Sequence, residues 1–253
     1  MTRRVAAVGV GLLAISACGG DGSGGSDDAP SGTVTVLAAA SLTESFEQIG
    51  ADFEDERPDI DVEFSFAASS ELAVQIQQGV PADVFASADA STMQEVVDSD
   101  DVEVEPMTFA RNRLAIAVER GNPRNIRGLD DLDEAGLVVV LCAQQAPCGK
   151  LADRVLADAR VPVAPASRAR SVKAALTLVE LGEADAAIVY VTDVEASGKV
   201  DGVEIPDDQN MVATYPIALL AEASNVGAAG EFMQFVLSPR GQRVLRRFGF
   251  VSA

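Results

Sequence analysis

The chain has 253 residues, is 48% apolar, and carries 19 basic against 39 acidic residues for a formal charge of −20, with no histidine. Such a composition excludes a disordered polymer, and it lacks the basic footprint that nucleic-acid phosphates require, so no nucleic-acid partner is expected. Without histidine there is no Ser-His or Cys-His catalysis and no ordinary general base near neutral pH, while two tyrosines and no tryptophan leave little for stacking cages.

Arg3 and Arg4 precede an apolar run from Val5 to Ala17, and Cys18 follows at once with Gly19 and Gly20. The run is too short for a membrane-spanning helix, which needs about 20 residues, and reads as a cleaved leader over residues 1–17. Ile15-Ser16-Ala17-Cys18 resembles the lipobox of bacterial lipoproteins, so Cys18 is the expected acylation site and the mature chain an exported lipoprotein on the outer side of the cell membrane. Residues 18–32 then form a tether, with six glycines and three aspartates between positions 19 and 32. Loss of Arg3 and Arg4 with the leader makes the mature chain more acidic still.

From Thr33 strand and helix patterns alternate. Thr33 to Leu37 reads as a short strand. Ser41 and Glu44 have the spacing of a capping box, and Leu42, Phe46, Ile49 and Phe53 fall on one helical face that Pro58 closes. Ile60, Val62, Phe64 and Phe66 alternate with polar residues as a half-buried strand, and Ser69-Ser70-Glu71 opens a second helix ending near Gly79. Asp83 to Ser87 is strand-like, and Thr92 to Val97 is helical. Leu114 to Val118 and Leu137 to Leu141 follow as strands; Gly149 to Ala159 and Ser171 to Leu181 as helices. Strands at Ala186 to Val191 and Met211 to Leu220 precede two helices, Ala228 to Leu237 and Pro239 to Phe248, the last with proline at its first position. The order implies α/β architecture with mostly parallel sheets, and about 220 folded residues favour two lobes over one core.

In such sheets ligands collect at the carboxyl ends of strands, where helices begin. Ser41 and Ser69 occupy equivalent places after the first and second strands, and Pro147-Cys148-Gly149 and Arg170-Ser171-Val172 form two more helix starts. A helix N-terminus offers unpaired N–H groups and about half a positive charge, so several together would make a socket for an anion. Taken alone, each serine reads first as a cap of its own helix, which is what most serines at this position do. Tyr190, ending a strand, adds a phenolic donor or else a half-buried core ring.

These motifs, Ala38-Ala39-Ala40-Ser41-Leu42-Thr43, Phe66-Ala67-Ala68-Ser69-Ser70-Glu71-Leu72-Ala73, Pro81-Ala82-Asp83-Val84-Phe85-Ala86-Ser87-Ala88-Asp89, Val172 through Glu180, and Ile188-Val189-Tyr190, resemble the periplasmic molybdate-binding proteins of ABC transporters. The similarity runs from about Thr33 to Arg247-Phe248-Gly249-Phe250. It implies the type II periplasmic-binding fold, two α/β lobes joined by crossover strands with the ligand cleft between them. It further implies a receptor, not an enzyme, that captures molybdate or tungstate and delivers it to an ABC permease. Ser41 and Ser69 would bind through hydroxyl and backbone N–H, Tyr190 through its phenol, and Cys148 and Val172 through backbone N–H alone. Cys148 replaces an expected alanine, which a main-chain donor tolerates. The lobes would comprise residues 33–112 with 214–253, and residues 113–213, hinged near Arg111 to Arg113 and Val212 to Thr214. A monomer is expected, with no cofactor and no site for a free metal cation. A receptor for another tetrahedral oxyanion such as sulfate is the alternative, and a lipid-anchored enzyme or sensor on the same fold a more distant one.

Molybdate is a full dianion at neutral pH, so neutral donors alone suit it, whereas a protonated phosphate would also need an acceptor. Hydrogen bonds to charged groups contribute roughly 1.5–3 kcal/mol each, so several suffice without lysine or arginine. Cys142 and Cys148, in an exported chain, read first as a disulfide that stiffens the ligand loop. Cys148-Gly149-Lys150-Leu151 lacks the rest of a P-loop, and Lys150 is expected to be a solvated helix residue. The acidic runs Asp98 to Asp101 and Asp130 to Glu134 lack calcium-loop spacing, and no G-x-S-x-G elbow occurs.

Overall fold

A computed structural model of the chain describes residues 29–253. The expected leader, Cys18 and most of the tether lie outside these residues. The first lobe begins with β1 (Gly32–Ala39), α1 (Thr43–Glu56), β2 (Ile60–Ala67), α2 (Ser69–Gln77), β3 (Val84–Ala86) and α3 (Ala90–Val97). The long strand β4 (Met107–Glu119) leads into β5 (Val139–Cys142), α4 (Pro147–Ala159), β6 (Ser167–Ala169), α5 (Val172–Glu180), β7 (Ala186–Tyr190), α6 (Val191–Ser197) and β8 (Val200–Glu204). β9 (Val212–Leu219), α7 (Val226–Leu237), α8 (Pro239–Arg247) and β10 (Val251–Ser252) return the chain to the first lobe.

The strands run in the order β2-β1-β3-β9-β4-β7-β5-β6, with β8 and β10 also paired to β4. Two parallel cores, β2-β1-β3 and β7-β5-β6, match the expected alternation. Between them the pairing is antiparallel: β3 with β9, β9 with β4, and β4 with β7 and β8. The expectation of mostly parallel sheets is therefore corrected in the middle, because a chain that crosses between lobes and returns must place oppositely directed strands side by side. β4 makes the crossing itself. Its first half pairs with β9 and β10, and from Leu114 to Val118 it pairs with β7.

Alternation along β1 sends side chains into two cores. Val34, Val36 and Ala38 join the larger cluster under α1, α7 and α8, while Leu37 joins Leu72, Ile76, Phe85, Met93 and Val96 beneath α2 and α3. The large cluster contains the edge-on rings of Phe46, Phe53 and Phe232, with centroids 5.5–6.2 Å apart. Asp83 fastens this lobe: one carboxylate oxygen accepts the Thr35 N–H at 2.8 Å, and the other accepts the Ser224 and Asn225 N–H groups at 2.7 and 3.0 Å. The Pro81-Ala82-Asp83 motif is thus a structural tie between β1, β3 and the start of α7.

The proposed Ser41–Glu44 capping box does not form. Ser41 lies in a short 3-10 turn (Ala40–Leu42) before α1, its hydroxyl is engaged by Tyr215, and the Glu44 carboxylate is engaged by Lys173. Partners from distant segments have won over the local cap.

Candidate functional site

Every parallel strand delivers its carboxyl end to one place. Ala39 ends β1 and Ala40 and Ser41 follow it, Ala68 and Ser69 follow β2, Ala88 follows β3, Pro147 and Cys148 open α4, Val172 opens α5, and Tyr190 ends β7; together they line one cavity. All five residues singled out in the sequence are brought together here. The cavity is small, with about 10 Å³ open to the centre of a water molecule, which is room for about one water. No lining residue carries a charge.

The backbone supplies donors. Ser69 and Val172 are the first residues of α2 and α5, and Cys148 the second of α4. At these positions N–H groups have no intrahelical acceptor. Side-chain caps do not consume them at α2 or α4. At α5 the Ser171 hydroxyl accepts the Ala174 N–H at 3.3 Å, two residues beyond Val172. Small residues let the backbone come close, with alanine at four of the lining positions.

The side chains add hydroxyl donors. Ser69 Oγ accepts the Ala88 N–H at 2.9 Å, which commits its oxygen and leaves its hydrogen for the cavity. Tyr190 is 1% exposed, and its hydroxyl makes no hydrogen bond of ordinary geometry among the described residues, with the Tyr215 phenol as its polar neighbour. Burial holds its pKa well above the ordinary value, with nearby Tyr215, Asp89 and Asp193 pushing the same way, so it remains a neutral O–H. A buried hydroxyl without an acceptor loses the full cost of desolvation, and a ligand oxygen would recover it.

A disulfide joins Cys142 at the end of β5 to Cys148 in α4 and closes the loop that carries Pro147. The same loop leaves no room at Gly149: an added Cβ would lie 2.0 Å from the Ala143 carbonyl oxygen.

Sequence reasoning missed the groups behind and beside the cavity. Tyr215 Oη lies 2.9 Å from Ser41 Oγ, and Asn112 Nδ2 donates to Thr192 Oγ1 at 2.8 Å. Tyr215 had a signal, since it is one of only two tyrosines in the chain. Lys150 is not a free solvated residue. Its Nζ donates to Ser91 Oγ at 3.0 Å and Thr92 Oγ1 at 3.2 Å, and lies 3.4 Å from Asp89. Asp193 is fully buried; its carboxylate accepts the Tyr190 N–H at 3.2 Å and lies 3.2 Å from Lys173 Nζ.

A cleft between two α/β lobes, lined by neutral donors at helix starts, is the architecture of a solute receptor. The family model described as bacterial extracellular solute-binding protein matches residues 34–251. The molybdate-binding protein ModA of Mycobacterium tuberculosis is 39% identical over 243 residues, covering 94% of this chain and 93% of that protein. Among solved structures, the periplasmic molybdate-binding protein of Azotobacter vinelandii has a TM-score of 0.74 at 20% identity, covering 87% of this chain and 99% of that one. The sulfate-binding protein SubI of M. tuberculosis has a TM-score of 0.79 at 21% identity, covering 87% of each chain. The chain belongs to the bacterial extracellular solute-binding proteins and, within them, to the family of periplasmic molybdate-binding proteins of ABC transporters.

Proposed function

We propose that the protein is a receptor that encloses molybdate, and tungstate with it, between its lobes and hands the anion to an ABC permease. The observation that carries this reading is the cavity itself: several helix starts converge on one small space together with the buried Tyr190 hydroxyl, and no charged side chain lines it. Ser41 and Ser69 bind through hydroxyl and N–H, Tyr190 through its phenol, and Cys148 and Val172 through backbone N–H. An oxyanion that carries two charges and no proton is matched by donors only. About five such bonds are enough for micromolar or tighter binding after the costs of closure.

The lobes on this reading are residues 33–112 with 214–253, and residues 113–213. The hinge lies where β4 and β9 pair, at Arg111 opposite Thr214 and Arg113 opposite Val212. No reaction is assigned to the site. Acylation of Cys18 tethers the receptor to the membrane, residues 19–32 give it reach, and it works as a monomer. Sulfate is the competing ligand, favoured by the fold likeness to SubI. Calorimetric titration of protein lacking residues 1–18 with molybdate, tungstate, sulfate and phosphate decides between them. Binding of molybdate and tungstate well ahead of sulfate is expected; preference for sulfate overturns the assignment.

A further inference from the structure

The two serines of the cavity differ in what holds their oxygens. The partner of Ser69 Oγ is a backbone amide, which can only donate. Ser41 Oγ instead meets the Tyr215 hydroxyl at 2.9 Å, and two hydroxyls can share a hydrogen in either direction. If Ser41 donated to Tyr215, it would turn lone pairs toward the cavity and repel an anion. If it accepts, its own hydrogen is free for the cavity. The polarity of one bond therefore decides the character of the site.

That polarity is set one residue further out. Asn112 Oδ1 accepts the Arg113 backbone N–H at 2.9 Å, which fixes the way its amide faces. Its Nδ2 then directs one hydrogen to Thr192 Oγ1 at 2.8 Å and the other to Tyr215 Oη at 3.4 Å. The second bond is long, so it orients more than it binds. Asn112, Tyr215 and Ser41 are all buried. With its oxygen receiving from Asn112, Tyr215 is placed to donate its hydrogen to Ser41, which would leave the Ser41 hydrogen for the cavity.

We infer that Asn112 and Tyr215 are positioning residues that fix Ser41 as a donor, and that this relay makes the site discriminate against oxyanions that carry a proton. The inference rests on the reading of Ser41 as a ligand residue. With the relay intact, the three cavity hydroxyls, Ser41, Ser69 and Tyr190, all present hydrogens. An O–H on the ligand then finds no acceptor among them, and a buried donor without a partner is costly. With the relay broken, Ser41 is free to rotate and accept.

The test is a competition titration of the wild type, Tyr215→Phe and Asn112→Leu with molybdate, sulfate and phosphate at neutral pH, where phosphate keeps at least one proton. The ratio of the phosphate Kd to that of the best-bound dianion is expected to fall about tenfold in both variants, the cost of one unmet hydrogen bond. In a Ser41→Ala background the further change Tyr215→Phe is expected to leave that ratio unmoved. A purely structural role would weaken all anions in parallel. A ratio unchanged in the folded variants, or a shift that persists without Ser41, overturns the relay. The two variants break it from opposite ends, so Asn112→Leu carries the test should Tyr215→Phe not fold. A wild type that prefers sulfate to molybdate overturns the molybdate reading but leaves the relay readable from the sulfate ratio. A wild type that prefers phosphate to both overturns the relay as well.

Discussion

Lys173, the residue after Val172, places its Nζ 2.8 Å from both carboxylate oxygens of Glu44 and so ties α5 to α1. Lys150 makes the corresponding bridge from α4 to Asp89 at the start of α3. Lys173 directly follows Val172 and Lys150 stands two residues after Cys148, so each ion pair joins a helix of the cavity wall to the first lobe. Glu44→Gln is expected to weaken anion binding about two- to fivefold, the effect of a partly exposed pair, with little change in thermal stability. Lys173→Met should destabilise the fold more than Glu44→Gln does, because it also leaves buried Asp193 without its cation. Parallel calorimetry and melting of the two variants check this, and equal effects on both readouts would count against it.

Tyr190→Phe separates stability from binding. The hydroxyl is buried without a hydrogen bond of ordinary geometry, so its removal relieves a desolvation cost in the empty protein. The variant is expected to melt at or above the wild-type temperature without ligand, yet to bind molybdate about tenfold more weakly. A lowered melting temperature with unchanged affinity would reverse the assignment of this residue.

If Ser41 and Ser69 bind the anion as proposed, Ser41→Ala and Ser69→Ala each remove a charge-assisted bond and are each expected to lower affinity by one to two orders of magnitude. Unchanged titrations in both variants would remove these serines from the site.

Gly149→Ala tests the close approach at the start of α4. A Cβ there collides with the Ala143 carbonyl, and the Cys142–Cys148 disulfide limits how far the loop can yield. A loss of about 1–3 kcal/mol is expected in urea unfolding, as for other overpacked positions. Anion binding should weaken with it, because the loop that shifts carries Cys148.

Asp193 predicts a pH dependence of known sign. Burial raises its pKa from 3.8 to about 6, against the opposing pull of Lys173 and the Tyr190 N–H and with a further push from Glu44. The folded state thus holds this proton more tightly than the unfolded chain does. Its contribution is fully present below pH 3.8 and is lost as pH rises through about 6. Relative to Asp193→Asn, the wild type should gain on the order of 1 kcal/mol between pH 7.5 and pH 5. Urea midpoints of both proteins at the two pH values give the answer, and a constant difference contradicts it.

Much of the fold was legible because its elements obey simple periods. β2 alternates as read, α1 carries Phe46, Ile49 and Phe53 on its buried face, and α5 buries Val172, Ala175, Leu176 and Val179. The first half of β4 was missed because its inward residue Asn112 is polar, and a hydrophobicity pattern counts such a residue as surface. α6 was missed for a similar reason, since its buried positions are Thr192 and Asp193. The cavity wall was visible as helix starts after strands, a local signal. Tyr215, Asn112, Lys173 and Glu44 act through partners 80 or more residues away, and no local spacing encodes those meetings.

The neutral wall of the cavity within so acidic a chain also shapes the kinetics of capture. Negative potential around the molecule slows the arrival of any oxyanion, and added salt relieves that repulsion. Inside the closed lobes the contacts are short dipoles that dissolved ions scarcely reach. On the proposed function, retention would therefore rest on slow escape rather than fast arrival.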